Sequence, residues 1–168
     1  IMTNYAGGVN FNKDLSKKTQ LTSNYFYNRL EQNISKITDR INYIPPDSSY
    51  NFNQNSLQLS TNDNHRVNVT LDHKIDSANS LKFANNFSYS YSQMESVTGS
   101  ETTAEDGTVQ NESNRYNLNE QIAVNFNSSL LWRHRFNKKG RTLSTNLTLG
   151  ISQTDSDGSQ ESTNQFIG

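Results

Sequence analysis

Apolar and polar residues alternate along four stretches of the chain, which predicts β-strands whose two faces meet different surroundings. The stretches are Val67–Ile75, Leu81–Tyr91, Leu118–Phe136 and Leu143–Ile151. Leu131 is the one large apolar residue in the polar phase of the third stretch. These four stretches are the strongest strand predictions in the sequence.

A fifth and a sixth strand are indicated more weakly near the start of the chain. Apolar residues alternate with polar ones over Tyr5–Phe11 and again over Leu21–Tyr27. Gly7-Gly8 would bend the first of these strands, and Phe26 interrupts the alternation of the second. The sequence therefore predicts about six strands in three hairpins.

The connections between the predicted strands are of two kinds. Three short basic turns lie at Asn12–Thr19, Lys74–Ser80 and Phe136–Thr142, whereas Glu31–His65 and Gln93–Asn117 are long and polar. Short turns at one end and long loops at the other are typical of up-and-down outer-membrane β-barrels. The pattern thus favours an antiparallel transmembrane β-barrel segment with an all-β fold.

One segment of the first long loop has an alternative interpretation. Apolar residues in Leu30–Ile44 recur at spacings of three and four, as on one face of a helix. Pro45-Pro46 would end such a helix. A short helix within this loop therefore stays open.

The composition excludes several classes of protein. Hydrophobic residues make up 31% of the chain, against about 45–50% in soluble globular domains. Disorder is disfavoured because aromatic residues reach 10% and the net charge is only −1. The sequence contains no apolar run long enough for a transmembrane helix, no cysteine and no basic stripe suited to nucleic acid. We expect an internal piece of a longer protein, because six strands are too few to close a barrel. We identify no plug domain in these residues.

Charge separates the two ends of the predicted hairpins. The short turns are basic, and the second long loop is acidic, with no Lys or Arg from Gln93 to Asn114. We interpret the turn end as periplasmic and the loop end as extracellular, and we place any ligand contact in the loops. The candidate ligand residues of the second loop are Glu95, Glu101, Glu105, Asp106 and Glu112.

The two phases of the strands supply the remaining candidate residues. Aromatic side chains near strand ends in the apolar phase are typical of the girdles at membrane interfaces, although sheet packing in a soluble sandwich is the alternative. These candidates are Tyr89, Tyr91, Trp132 and Phe136. Residues of the opposite phase would face a wet lumen, and they are Asn68, Thr70, Asn86, Ser88, Asn125, Asn127 and Asn146.

Other motifs give little indication of chemistry. His73 and His134 precede successive turns, and we interpret them as interfacial residues rather than a metal pair, since no third ligand recurs nearby. Asp155–Glu161 matches a calcium loop only in part, and its Asp-Gly step is itself a turn signal. No catalytic constellation stands out, so we predict neither an enzyme nor a cofactor.

Two segments carry a resemblance to a known family. LDHKIDSANSLKF and NSSLLWRHRFNKKGRTLSTNLTLGISQTDSDG resemble the barrel region of large outer-membrane proteins of Bacteroidota, which are similar to TonB-dependent receptors. The resemblance covers essentially the whole chain and is most specific over Ser128–Gly158. It implies a many-stranded barrel in the outer membrane and, through domains that these residues do not contain, a TonB-type energy-coupling partner. It transfers no functional residue to this sequence.

Two functions of different classes follow from these observations. The first is a segment, over residues 1–168, of an outer-membrane receptor or transporter barrel, with lipid and the rest of the parent chain as partners. The second is a soluble or surface-attached β-sheet module used in adhesion. The second requires a layer that covers the apolar phase, and the sequence offers little apolar material for one.

Overall fold

Six antiparallel strands form one sheet in the computed structural model, which describes residues 1–46 and 48–167. The strands are β1 (Met2–Ser16), β2 (Thr19–Ile44), β3 (Ser48–Lys74), β4 (Asn79–Ala104), β5 (Val109–Arg135) and β6 (Thr142–Phe166). Each strand pairs with its neighbour in the sequence, and β1 and β6 form the two edges of an open sheet. This order confirms the prediction of an all-β, up-and-down arrangement in three hairpins.

No helix occurs in the described residues, so none of them belongs to a helix that could cross a membrane. The helical alternative for Leu30–Ile44 is wrong, because these residues continue β2 and pair one by one with β3. Ile34 lies opposite Gln58 and Ile41 opposite Asn51 in that ladder. Pairing with β3 satisfies the backbone groups of this segment, whereas a helix would have left the edge of β3 without a partner.

The register brings the alternating apolar residues of all six strands onto one side of the sheet, here called the apolar face. Partners across an antiparallel pair share a face, so each row of partners can be followed from strand to strand. One such row, here called the central row, crosses the whole sheet through Val9, Tyr25, Val67, Phe87, Phe126 and Ile151. A shift of any strand by one residue would replace its member of this row with a polar side chain.

The opposite side, here called the polar face, is also ordered by the register. A row of asparagines crosses five consecutive strands through Asn10, Asn24, Asn68, Asn86 and Asn127. The amide of Asn68 donates to Oδ1 of Asn24 at 2.7 Å, and the amide of Asn86 donates in turn to Asn68. These side-chain hydrogen bonds run parallel to the backbone ladder.

Phe26, which breaks the alternation in the sequence, lies on the polar face opposite Gly8. A Cβ atom added to Gly8 would approach the Phe26 ring to 3.2 Å and the Tyr25 carbonyl oxygen to 3.0 Å. The glycine therefore leaves room for the aromatic ring beside it, so the two irregularities of the first hairpin compensate each other.

The predicted short turns are present, and the first is tighter than expected. Only Lys17 and Lys18 connect β1 to β2, so Lys13 belongs to β1 rather than to a turn. The β3–β4 and β5–β6 connections span residues 75–78 and 136–141. Gly140 has φ +81° in the last turn, and Gly107 has φ +86° in the turn between β4 and β5, where a residue with a side chain would be strained.

The prediction of two long loops is wrong. β2 and β3 continue as a paired hairpin as far as Ile44 and Ser48, and β4 and β5 do so as far as Ala104 and Val109. Only short turns remain at these ends, and Asp47 of the first lies outside the described residues. Neighbouring strands supply backbone partners over the whole length, so the ladder persists where side chains no longer alternate in polarity.

The described residues have no buried core. Large apolar side chains of the apolar face remain exposed, among them Val9, Phe87 and Ile151 of the central row. A single sheet can bury such a face only against another layer, a membrane or further protein. The apolar face is therefore the surface whose surroundings decide the function.

Candidate functional site

Aromatic side chains form a cluster on the apolar face at one border of the apolar region. His65 lies between Tyr25, Tyr27 and Tyr89, with ring centroids 6.1, 4.8 and 5.9 Å away. The hydroxyl of Tyr25 is 2.8 Å from Nδ1 of His65. We call Tyr25, Tyr27, His65 and Tyr89 the upper girdle, because Tyr27, His65 and Tyr89 form the next row from the central row toward the hairpin tips and Tyr25 of the central row contacts them through His65.

Charged groups begin one residue pair beyond the upper girdle. The hydroxyl of Tyr27 donates to Oδ1 of Asp63 at 2.7 Å, and Arg29 Nη1 is 3.4 Å from the other oxygen of Asp63. Arg29 Nε also contacts Glu31 Oε1 at 2.8 Å. Tyr91 in the neighbouring strand donates its hydroxyl to Glu120 Oε1 at 2.8 Å. The tyrosines thus have an apolar side toward the central row and a polar end toward ionised groups.

A second aromatic group lies at the opposite border, next to the short turns. Trp132 and His134 have ring centroids 5.9 Å apart, and Phe136 meets His134 edge-on at 4.6 Å. Trp132 is in the same row as Leu81 and His73. We call His73, Trp132, His134 and Phe136 the lower girdle.

The two predicted pairs of interface aromatics therefore lie at opposite borders of the apolar face. Tyr89 belongs to the upper girdle and Tyr91 lies just beyond it, whereas Trp132 and Phe136 belong to the lower girdle. Tyr89 pairs with Val124, eight residues before Trp132 in β5. The two borders are thus about 27 Å apart along the strand, at roughly 3.4 Å per residue.

The lower girdle is fastened to the turn between β3 and β4. His134 Nδ1 is 2.7 Å from Oδ1 of Asn79, and the amide of Asn79 donates to Asp76 Oδ2 at 2.9 Å. Asp76 Oδ1 also accepts from the backbone N–H groups of Ala78 and Asn79, both at 2.7 Å. These donors, with the Asn79 side chain first, lower the pKa of Asp76 and keep it ionised at neutral pH.

The two predicted turn-end histidines have separate polar partners. Nδ1 of His73 is 2.9 Å from the Thr19 hydroxyl, while that of His134 faces Asn79. Over residues 1–46 and 48–167, the structure brings together no group of three or more His, Asp or Glu side chains that could hold a metal ion.

All seven residues predicted to face a lumen lie on the polar face. Their partners show this, since Asn68 faces Asn86, Asn86 faces Asn127, and Ser88 faces Asn125. Thr70 faces Ala84, and Asn146 faces Leu131. Between the rows of Thr70 and Asn62, Arg66 is the only charged residue on the polar face of the described strands. The middle of this face is therefore a largely neutral surface of amides and hydroxyls.

The five candidate ligand acids do not form a loop. Glu95 and Glu101 lie in β4 and Glu112 in β5, while Glu105 and Asp106 form part of the turn between them. Glu101 and Glu112 are direct cross-strand partners. The partial calcium motif at Asp155–Glu161 is likewise extended and lies within β6. Its Asp155 and Asp157 pair with Ile122 and Glu120 of β5. The expected turn at Asp157-Gly158 is therefore wrong.

The sequence predicted Tyr89 of the upper girdle but gave no indication of Tyr25, Tyr27 and His65. His65 appears in the sequence as the end of a loop, although it has the same phase as Val67, Val69 and Leu71. Extending that alternation backward by one step would have placed it on the apolar face. The partners Tyr25 and Tyr27 could not be matched to it without the β2–β3 register.

Comparisons with known proteins give only distant similarities. No protein-family model and no curated protein sequence matches the chain. The ferric yersiniabactin uptake receptor FyuA of Yersinia pestis is 7% identical, with 97% of this chain and 34% of that chain covered and a TM-score of 0.24. OccK10 (OpdN) of Pseudomonas aeruginosa is 8% identical, with 98% and 73% covered and a TM-score of 0.15.

A third similar structure, the membrane pore complex of pneumolysin, is 6% identical, with 95% of this chain and 31% of that chain covered and a TM-score of 0.18. This chain spans about a third of the length of FyuA. At these scores the similarities decide neither the fold nor the function. The resemblance to Bacteroidota barrels stays a prediction.

Proposed function

We propose that the chain forms part of the wall of an outer-membrane β-barrel receptor or transporter. The observation that carries this proposal is the apolar face, which crosses all six strands and is bordered on both sides by aromatic girdles. From the row of His73 to the row of His65, eight residue steps of β3 span about 27 Å along the strand. At the tilt of roughly 40° usual in such barrels, this length corresponds to a band about 20 Å high, and the girdle side chains at both borders extend it toward the ~25 Å of a lipid-facing band.

The polar face supports the same function. Lipid on one side requires water or protein on the other, and the asparagine row with its neighbouring hydroxyls supplies a hydrophilic wall for a lumen. Barrel strands in membranes alternate in this way between lipid and lumen. We place the short basic turns on the periplasmic side and the hairpin tips outside, because the strands end next to the lower girdle but extend far beyond the upper girdle, and the longer projections of this class are extracellular.

The two edges of the sheet define the partners. β1 and β6 each have one strand neighbour in the described sheet, so their outer backbone groups would face lipid unpaired. Because unpaired N–H and C=O groups are not tolerated in the hydrocarbon region, further strands must complete the wall. We assign these strands to the rest of a parent barrel, and we assign energy coupling of the TonB type to domains outside this sheet.

An adhesion module is the alternative of a different class. In such a module the apolar face would pack against a covering layer, and no side chain of the described residues is buried by one. Monodisperse protein in buffer without detergent would favour the adhesion module. Dependence on detergent would favour the barrel wall.

Cysteine labelling in outer membranes tests the proposal directly. The chain has no cysteine, so each introduced thiol in it is unique. We expect a membrane-impermeant, water-soluble maleimide to label Ser88→Cys, which faces the lumen, and to leave Phe87→Cys, which faces lipid, unlabelled. The two positions are adjacent in β4, so local disorder would affect both. Equal labelling of the two variants in folded protein would contradict a lipid-facing wall.

A further inference from the structure

The polar face changes character next to the short turns, where cationic side chains converge on a groove. We call this site the basic groove and define it by its charged lining residues, which are Lys17, Lys18, Lys74, Lys82, Arg133, Asp14 and Asp72. Five cations thus face two acids. Among the described residues, the only ion pair in this group joins Lys82 Nζ to Asp72 Oδ2 at 3.7 Å.

The register explains why these cations lie together. Ser80 pairs with Lys74 on one side and with Arg133 on the other, so the two cations flank it about 10 Å apart. Lys82 is diagonal to Arg133, a separation of roughly 7–8 Å that long side chains can bridge. Lys18 reaches across the β3–β4 turn, where its Nζ donates to the carbonyl oxygen of Ile75 at 3.1 Å.

The side of the sheet decides what can reach the groove. Arg133 shares a face with Ser129 and Asn127, and Lys82 shares it with Ala84 and Asn86, so the groove opens on the polar face. In the proposed barrel wall this face is turned away from lipid. A solute in the lumen would therefore meet the groove, whereas the headgroups of surrounding lipids would not.

The chemistry and size of the groove indicate the ligand class. Arginine binds phosphate and carboxylate oxygens in a bidentate fashion, and lysines add point charges around them. The volume of about 670 Å³ lies within the range of roughly 300–1,000 Å³ that is usual for small-molecule sites. We propose that the basic groove binds a small, multiply charged anion with phosphate or carboxylate groups at the turn end of the lumen. The lumenal location rests on the proposed function.

Titration of the purified, detergent-solubilised protein with inorganic pyrophosphate at low ionic strength tests this inference. We expect saturable binding that weakens as salt is added, because salt screens the attraction between exposed charges. The double variant Lys82→Gln/Arg133→Gln is expected to weaken binding about tenfold or more, since two charge-assisted contacts are lost and Asp72 is left unpaired.

A matched control separates a site from a general positive field. Lys138→Gln/Lys139→Gln removes the same charge from the β5–β6 turn outside the groove, and we expect a change of less than about twofold. An equal loss in both double variants, or no saturable binding by the folded wild type, would overturn the inference. So would retention of phosphatidylglycerol, in place of pyrophosphate, by the wild type alone in native mass spectrometry.

Failure of the anion-site proposal can be distinguished from failure of the barrel-wall proposal. Pyrophosphate titration does not depend on which face meets lipid, whereas the labelling contrast between Phe87→Cys and Ser88→Cys does. If that contrast is lost while pyrophosphate still binds, the barrel-wall proposal is wrong and the anion site stands. If the labelling contrast is intact but pyrophosphate does not bind, only the anion-site proposal is wrong.

Discussion

The half of the sheet between the two girdles and the half beyond the upper girdle, here called the tip half, share one backbone ladder but differ in their side chains. Along β4, Phe83, Phe87 and Tyr89 occupy the apolar face up to the upper girdle, whereas Glu95, Val97 and Glu101 follow on the same face beyond it. Backbone pairing continues through both halves without interruption as far as Thr102. The difference teaches that alternation in polarity does not mark where a strand ends, and in the proposed barrel wall it would mark where the strand meets lipid.

A charge on the apolar face should separate the two halves most strongly. Phe87→Arg puts a guanidinium in the central row, one row inside the upper girdle, where we expect a loss of about 1–2 kcal/mol in unfolding free energy, between the values for arginine at the middle of a bilayer (~2–4 kcal/mol) and near its interfaces (~0–1 kcal/mol). The control is Val97→Arg on the same face of the same strand, with an expected loss below about 1 kcal/mol because water reaches it. Both side chains are exposed in the sheet, at 38% and 49%, so protein packing does not distinguish them.

Denaturant unfolding of the protein reconstituted in lipid vesicles measures both variants. Similar losses at the two positions would show that the upper girdle is not the border of the membrane. A negligible loss of unfolding free energy for Phe87→Arg would contradict a lipid-facing band on the apolar face.

Hydrogen exchange would show whether the tip half is a strand or a loop. We expect backbone amides of residues 93–102 to exchange about 100-fold or more slowly than unstructured amides, because β3 and β5 flank them on both sides. Amides in residues 83–91 should be slower still, since lipid around the proposed barrel wall would also exclude water there. Exchange of residues 93–102 at the unprotected rate would restore the loop interpretation.

The sequence was sufficient for the strand phases and for the turn end. Val67, Phe87, Phe126 and Ile151 could each be assigned to a face because the alternation around them is clear. The tip half could not be predicted in the same way, because Asn, Ser and Thr on both faces leave no polarity signal while the ladder persists. Contacts such as Tyr25 with His65 depend on cross-strand register, which no pattern within one strand contains.

A change in pH is expected to have the smallest effect of these tests, and it should act on the turns that contain Asp76 and Asp106. Hydrogen bonds lower the pKa of Asp76, first from the Asn79 side chain, and that of Asp106, first from the Thr108 hydroxyl. A lowered folded-state pKa stabilises each turn above the ordinary aspartate pKa, and this contribution is lost as pH falls below about 4. We expect faster amide exchange in both turns below that pH, with the larger change at Asp76, because Asn79 links it to His134.

Asp76→Asn and Asp106→Asn are matched variants for this last prediction. Each amide keeps the size of the carboxylate but has no charge to lose, so each variant should remove the acid response of its own turn and leave that of the other. Exchange measured by mass spectrometry between pH 3 and 6, after correction for the intrinsic rate, gives both responses in one experiment. A response that persists in the substituted turn would assign the acid sensitivity to other groups, and a loss in both turns would show that the two ends of the sheet open together.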